Sequence, residues 1–330
     1  LEGEKPVRFP DKGCWPLDGE RLQTTPEFFA YLRIGDGCSN CCSYCAIPLI
    51  RGPLRSRPME NVVEEAKKLA ENGVRELVLV AQDTTLYGVD LYGAPRLPAL
   101  LRELCRIDGL KWIRLLYCYP EHITEELLDV MAEEAKIAKY MDIPIQHVSG
   151  PVLAAMNRPG DAETLARLLR HIRERVPGIA LRTTVMTGFP GEGEAEFEEL
   201  CAFIQEMRFE RLGCFAFSPE EGTAAALLPG QVDDKVKQRR RDIVMEEQAG
   251  IADAYNRRQV GKTIPVLVES YDRYAECWFG RSEADAPDID GKVFFSCPRG
   301  AVRPGDFIRV KITDSLDWDL MGEYVDESAQ

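Results

Sequence analysis

Four thiols fall within eight residues of the stretch "IGDGCSNCCSYCAIPLIRG", Ile34 to Gly52: Cys38, Cys41, Cys42 and Cys45. Thiolates this close together suit a soft metal or an iron–sulfur cluster. Two groupings compete. One takes Cys38/Cys41 and Cys42/Cys45 as two CxxC pairs around zinc. Zinc ribbons, however, separate their pairs by a long loop so that four sulfurs can close a tetrahedron. Here the pairs abut at Cys41–Cys42, and adjacent side chains tend to point apart. The other grouping is Cys38-x3-Cys42-x2-Cys45. Three thiolates would bind three irons of a [4Fe–4S] cluster and leave the fourth iron free for a substrate or cofactor.

The elements around the loop favour the second grouping. "FFAYLRIGDG" reads as a strand entering the cysteine loop, and "MENVVEEAKKLAENGV" as a helix stopped by Gly73. "RELVLVAQD", "WIRLLYCYP", "YMDIPIQH", "IALRTTVMTGFPG" and "RLGCFAFSPE" read as further strands, each preceded by an amphipathic stretch. The alternation over residues 29–218 predicts an α/β fold with a parallel sheet, a closed or partial TIM-like (β/α) barrel. The cysteine loop then follows the first strand, at the end of the barrel where such folds do chemistry.

After Pro219 the pattern changes. "VDDKVKQRRRDIVMEEQAGIADAYNRRQVG" predicts one long helix, with the basic run Lys235–Arg241 as a solvated face. "TIPVLVESY", "AECWFGRS", "KVFFSC", "DFIRVKIT" and "LMGEYV" follow, divided by Gly, Pro and Asp turns. They predict a small antiparallel β-barrel. The expected organisation is a linker over 1–28, an α/β barrel with its long connecting helix over 29–258, and the small barrel over 259–330. The chain opens on Leu1 in a polar, Pro-bearing stretch, so an upstream domain is expected.

Eleven cysteines, an odd number at irregular spacing, argue against a disulfide framework and for a reducing cytoplasm. Cys14, Cys105, Cys118, Cys201, Cys214, Cys277 and Cys297 are scattered and read as small, often buried residues. No apolar run is long enough to span a membrane. The net charge of −14 weighs against a long nucleic acid as main partner and suits a basic one.

Cys38-x3-Cys42-x2-Cys45, with Tyr44 before the last cysteine, resembles the radical S-adenosylmethionine (SAM) signature. "GCSNCCSYCAIPLIRGPLRSRP" is closer still to the methylthiotransferases, and "AQDTTLYGVDLYG", "VLAAMNR", "RTTVMTGFPGE", "FSPEEGTAA" and "GRSEADAPDIDG" agree. The resemblance runs from about Tyr31 to Tyr324. It is to the RimO type, which modifies an aspartate of a small-subunit ribosomal protein, more than to the MiaB type, which modifies tRNA adenosine. The small barrel would be the family's TRAM domain. Cys41 departs from the family, where a basic residue is common.

The resemblance implies a [4Fe–4S] cluster on Cys38, Cys42 and Cys45, SAM on its open iron, and a 5′-deoxyadenosyl radical that takes hydrogen from an unactivated C–H. A methylthio group would then be placed on the aspartate β-carbon of the S12 protein. In the family a second [4Fe–4S] cluster in an N-terminal domain supplies the sulfur, and no second tight cysteine triplet is present here, so this chain is expected to cleave SAM yet to be incomplete for full methylthio transfer. The resemblance also implies an electron donor such as flavodoxin or ferredoxin, no membrane, a monomer and a cytoplasmic setting. A tRNA-adenosine methylthiotransferase is the alternative, and a zinc-stabilised binding module a third reading.

No catalytic side chain is assigned beyond the cluster ligands. Candidate SAM contacts are Tyr44, near the adenine; Gln82 and Asp83, ending the second strand; and Gln146, ending the fourth beside His147. Arg182 and Thr184 share one face of the fifth strand, where a cation would pair the SAM carboxylate. Phe189 lies in "GFPGE", whose glycines permit close approach to a flat ring. Last, "SEADAPDID" places Glu283, Asp285, Asp288 and Asp290 in one turn-rich segment. This segment is expected to be a docking face for a basic ribosomal protein.

Overall fold

A computed structural model describes residues 16–19 and 21–326. Most of the expected linker, and Cys14, lie outside the described residues. Six strands form one parallel sheet in sequential order: β1 (Phe29–Arg33), β2 (Glu76–Val80), β3 (Trp112–Leu115), β4 (Ile137–Asp142), β5 (Ala180–Thr187) and β6 (Arg211–Ala216). Helices cross between them: α1 (Ile47–Arg51), α2 (Met59–Glu71), α3 (Leu97–Cys105), α4 (Glu125–Glu133), α5 (Ala162–Arg175) and α6 (Glu194–Met207). The sheet is a partial barrel, because β1 and β6 do not pair. Its apolar side packs Leu32, Leu77, Leu79, Ile113, Leu115, Leu181 and Val185 against the buried faces of α2 to α6. Asp161 caps α5 by accepting from Thr164 N–H at 2.8 Å.

The long helix is α7 (Asp234–Arg257), 24 residues and so about 36 Å. Its basic run is not simply solvated. Lys237 and Arg240 are buried, Arg240 donating to Glu192 at 2.7 Å and to Glu194 at 3.1 Å. Two residues of the run therefore bind α7 to the loop after β5. Gly188 explains how close the two come. It holds φ +72°, and a Cβ there would lie 2.1 Å from Lys237 Cγ. Its glycine thus serves packing against α7. Gly188→Ala should destabilise the fold by about 1–3 kcal/mol, read from urea unfolding. An unchanged midpoint would sink this account.

The small barrel closes five strands: β7 (Thr263–Asp272), β8 (Cys277–Ser282), β9 (Val293–Ser296), β10 (Phe307–Leu316) and β11 (Asp319–Val325). It is antiparallel except where β9 pairs β11 in parallel. Alternating directions can close only on an even number of strands, so a five-strand barrel must contain such a pair. Val266, Val268, Val293, Phe295, Val310, Ile312 and Leu320 fill it.

The two units meet at two extended contacts, besides the bond from Asn256 Nδ2 of α7 to Asp317 O at 3.2 Å. Phe28, Phe29 and Trp112 of the sheet pack on Leu267, with Phe307 edge-on to Trp112 at 4.7 Å between ring centroids. The second contact overturns an expectation. The acidic segment is not an outward docking face but turns into the concave side of the sheet. Asp285 is paired with Arg211, Glu283 accepts from Lys139 N–H at 2.6 Å, and Asp290 accepts from Tyr140 Oη at 2.7 Å. Of the four carboxylates, only Asp288 is left on an exposed residue. Three arginines on the sheet's inner side, Arg114, Arg182 and Arg211, are the physical reason. Buried there they need counter-charge. Glu76 supplies it to Arg114 and Asp142 to Arg182, while the turn pairs Asp285 with Arg211, brings Asp290 near Arg182 and offers the Glu283 carbonyl to Arg114.

Candidate active site

The cysteine loop is built on a short base. Gly35–Asp36 pairs with Arg55–Ser56 in an antiparallel ladder, so residues 37–54 form an excursion closed at its root. Gly37, at φ +75°, lies where a Cβ would come 2.1 Å from Pro53 O, so only glycine fits. Cys38 N–H bonds Gly52 O at 3.1 Å, and Cys45 N–H bonds Cys42 O at 3.0 Å. The loop is then braced from two sides. Ser43 N–H and Oγ reach Met156 O and Ala155 O, at 3.0 and 2.8 Å, and Ser43 O accepts from Ala225 N–H at 2.8 Å. "VLAAMNR" and "FSPEEGTAA" therefore hold the loop in place. Asn157 adds a bond to Cys41 O at 2.9 Å.

Cys38, Cys42 and Cys45 open on one cavity of about 840 Å³. Cys41 does not: it stands at φ +52° with its side chain exposed. Burial raises the Cys38 and Cys45 thiols above their ordinary range. Cys42 Sγ lies 2.6 Å from Tyr119 Oη, and the Arg158 guanidinium stacks 3.7 Å over the Tyr119 ring. Burial, and then Cys42, push the Tyr44 hydroxyl far above its usual value, so it stays protonated.

The cavity brings together most of the predicted contacts. Tyr44, Gln82, Gln146, Arg182 and Thr184 all line it. Gln146 holds φ +68°, a left-handed backbone in which its carbonyl still accepts from Met186 N–H at 2.7 Å. Arg182 donates to Asp142 at 2.7 Å and lies 3.7 Å from Asp290. Burial opposes its charge, but Asp142 first, then Tyr140 and Asp290, hold it firmly cationic.

Two predicted residues lie elsewhere. Phe189 is wholly buried in the main core, edge-on to Phe217 at 5.2 Å, because Gly188 turns the chain toward α7. Asp83 is buried below the cavity lining and accepts from Thr85 N–H at 3.0 Å, Asn40 Nδ2 at 2.7 Å and His122 Nδ1 at 3.1 Å. Burial works against its charge, yet the His122, Thr85 and Asn40 hydrogen bonds hold its carboxyl below the usual range. It positions the cysteine loop through Asn40. His147 is also buried away from the cavity, accepting from Ser149 N–H at 3.0 Å, with Glu192 3.5 Å from its Nε2. Sequence reasoning missed Tyr119, Asp142, Arg158 and Ile289, which all line the cavity.

The donor set fits a cluster with SAM. Three thiols share the cavity, while among the described residues no three His, Cys, Asp or Glu side chains are placed to close on a single ion. A tetrahedral zinc would need its sulfurs all about 2.3 Å from one point. A cuboidal cluster instead presents separate irons to separate thiolates. Gln82 Oε1 is a buried acceptor in the cavity wall with no partner, suited to an ammonium or hydroxyl donor.

A parallel partial barrel that turns three such thiols inward after its first strand is a radical SAM domain. The Radical SAM superfamily profile matches residues 32–204 and the TRAM domain profile residues 260–325. Coproporphyrinogen III oxidase (HemN) from Escherichia coli, a radical SAM enzyme, shares the fold with a TM-score of 0.50. It is 18% identical, over 69% of this chain and 53% of its own. The ribosomal protein uS12 methylthiotransferase RimO of Pelotomaculum thermopropionicum is 52% identical over 92% of this chain and 69% of its own length. Those of Geobacter sulfurreducens and Clostridium tetani are 49% and 46% identical over 92% and 95% of this chain, and 68% and 70% of theirs. The chain belongs to the RimO family of radical SAM methylthiotransferases.

Proposed function

We propose that this protein binds a [4Fe–4S] cluster through Cys38, Cys42 and Cys45 and SAM beside it, and methylthiolates the β-carbon of an aspartate in ribosomal protein uS12. The observation that carries the reading is the sorting of the four thiols, three into one cavity and Cys41 out of it. When bound, the cluster and SAM supply hydrogen abstraction from a C–H that no side-chain base deprotonates. The chain's own residues bind and orient. Gln82 Oε1 offers an unpartnered acceptor, Tyr44 a ring beside the cysteines, and Gln146 and Thr184 polar strand-end groups. Arg182 offers Nη2 to the SAM carboxylate, its Nη1 being taken by Asp142. Tyr119 and Arg158 fix the Cys42 side of the loop.

The natural division is an α/β unit over 29–258 and a TRAM unit over 259–330. We further propose a monomer served by a low-potential donor such as flavodoxin or ferredoxin in the cytoplasm. Among the described residues no helix is long and apolar enough to cross a membrane. Anaerobic reconstitution should give about four irons per chain and, on reduction, release 5′-deoxyadenosine from SAM. When a sulfur donor is supplied, such as the second cluster that the family carries in its N-terminal domain, mass spectrometry should then find methylthio-aspartate in uS12; without one, these residues should stop at SAM cleavage. Tight zinc without SAM cleavage would sink the enzyme reading, and methylthiolated tRNA adenosine would move the chain to the other substrate class.

A further inference from the structure

The turn that follows β8 does more than join the two units. It enters the partial barrel from the end where the strands begin. Arg281 meets Glu76, the first residue of β2, at 2.6 Å, and Asp285 meets Arg211, the first residue of β6, at 2.5 Å. From there it climbs the concave face. Ala286 is fully buried among Val78, Leu116, Ala138, Tyr140 and Ala180, one or more side chains from each of β2, β4 and β5 and the end of β3. Asp290 is tied to Tyr140 at 2.7 Å and lies near Arg182. Between these anchors Asp288 and Ile289 are exposed. Of the two, Ile289, 51% exposed, lines the cavity that holds Cys38, Cys42 and Cys45.

An apolar side chain left half bare between two tied carboxylates on a reaction cavity is unexplained by packing. Two more large side chains are exposed in the same lining: Tyr117, at φ +58°, and Phe215 at the end of β6. The three come from different elements and give an apolar share to the lining of a cavity that also carries the thiols, Gln82 and Arg182.

We propose that the TRAM unit completes the active site: its 283–290 turn is the floor of the reaction cavity, and Ile289 is a specificity-determining residue that contacts the substrate from below. This deepens the uS12 reading and rests on it for the nature of the substrate, a peptide loop bearing the target aspartate. The carboxylates of the turn are positioning residues. They seat the loop on the arginines of the sheet and set how far Ile289 projects.

The test uses reconstituted full-length chain, wild type and the variants Ile289→Trp and Ile289→Ala. Three quantities are measured: the Kd of a labelled uS12 peptide spanning the modified aspartate, the Kd of SAM, and SAM cleavage without peptide. Ile289→Trp should raise the peptide Kd at least about tenfold, and Ile289→Ala severalfold. In both variants the SAM Kd and peptide-free cleavage should move several-fold less than the peptide Kd. Peptide Kd values unchanged in both variants would overturn the proposal. So would a SAM Kd that moves as much as the peptide's, which would make the floor a cofactor wall. If wild type binds tRNA and not the peptide, the uS12 reading fails. The same variants are then measured against tRNA, where loss of binding on Ile289→Trp supports the floor and unchanged binding removes it.

Discussion

Serine at Cys38, Cys42 or Cys45 should each leave a protein that neither retains a cluster nor cleaves SAM, whereas Cys41→Ser should keep both. The three thiols open on one cavity, and Cys41 faces away from it. A cluster held by three protein ligands has none to spare, because its fourth iron must stay open. Removing one should therefore cost more than the roughly 10–100-fold that follows loss of an outer-shell partner. The checks are iron content and the visible absorption of the reconstituted protein, then 5′-deoxyadenosine release. The folded loop does not depend on Cys41 as a side chain, since Asn157 bonds only its carbonyl. Were Cys41→Ser as damaging as Cys42→Ser, the Cys-x3-Cys-x2-Cys grouping would be wrong.

That grouping was legible because spacing within one loop is a local property. The strand–helix rhythm was legible for the same reason, as was the five-strand barrel, whose turns are marked by Gly, Pro and Asp. Polar residues at strand ends were legible only in part. Gln82, Gln146 and Arg182 reach the cavity, but neighbouring Asp83 turns beneath it. "DTT" carried a signal for this: an Asp before Thr-Thr can accept from the backbone just ahead of it, as Asp83 does from Thr85 and Leu86. Phe189 was placed by its glycines, but the close approach that Gly188 permits is to Lys237.

The acidic turn was the least legible feature. Its partners lie far away in the chain, Arg211 at 74 residues from Asp285 and Arg114 at 169 from Glu283. Charge counting alone makes the last seventy residues an acidic surface, with eight Lys and Arg against fourteen Asp and Glu. What it cannot reveal is that the inner face of a parallel sheet carries arginines that need counter-charge. Tyr119 and Arg158 escaped for a related reason. Their roles lie in contacts with the cysteine loop, made from segments 77 residues and more downstream.

The largest stability effect should come from the centre of that buried network. Glu76 is fully buried and bridges Arg114 Nε at 2.8 Å and Arg281 Nη2 at 2.6 Å, one from the sheet and one from the small barrel. Glu76→Ala leaves both guanidinium groups without their shared carboxylate, and should cost about 3–5 kcal/mol in denaturant unfolding. Because Arg281 belongs to the other unit, the loss should include the contact between units. Trp112, packed against Leu267 and Phe307 at that contact, should report it by fluorescence. Replacing all three charged residues by apolar ones of similar volume should restore much of the loss, since the cost lies in stranded charge. Burial alone would raise the Glu76 carboxyl, but Arg281 and then Arg114 hold it below the ordinary 4.5. A group depressed in the folded state adds stability above its unfolded value and loses it as pH falls through the folded one. Wild type should therefore lose this contribution only below about pH 4.5, and Glu76→Gln should lack that acid-side dependence. Asp290 works the other way. Burial raises its carboxyl despite Arg211, so its contribution is greatest in acid and falls as pH rises. Glu76→Ala with wild-type stability at neutral pH would mean that the Arg114–Glu76–Arg281 bridge adds nothing to the contact between the units.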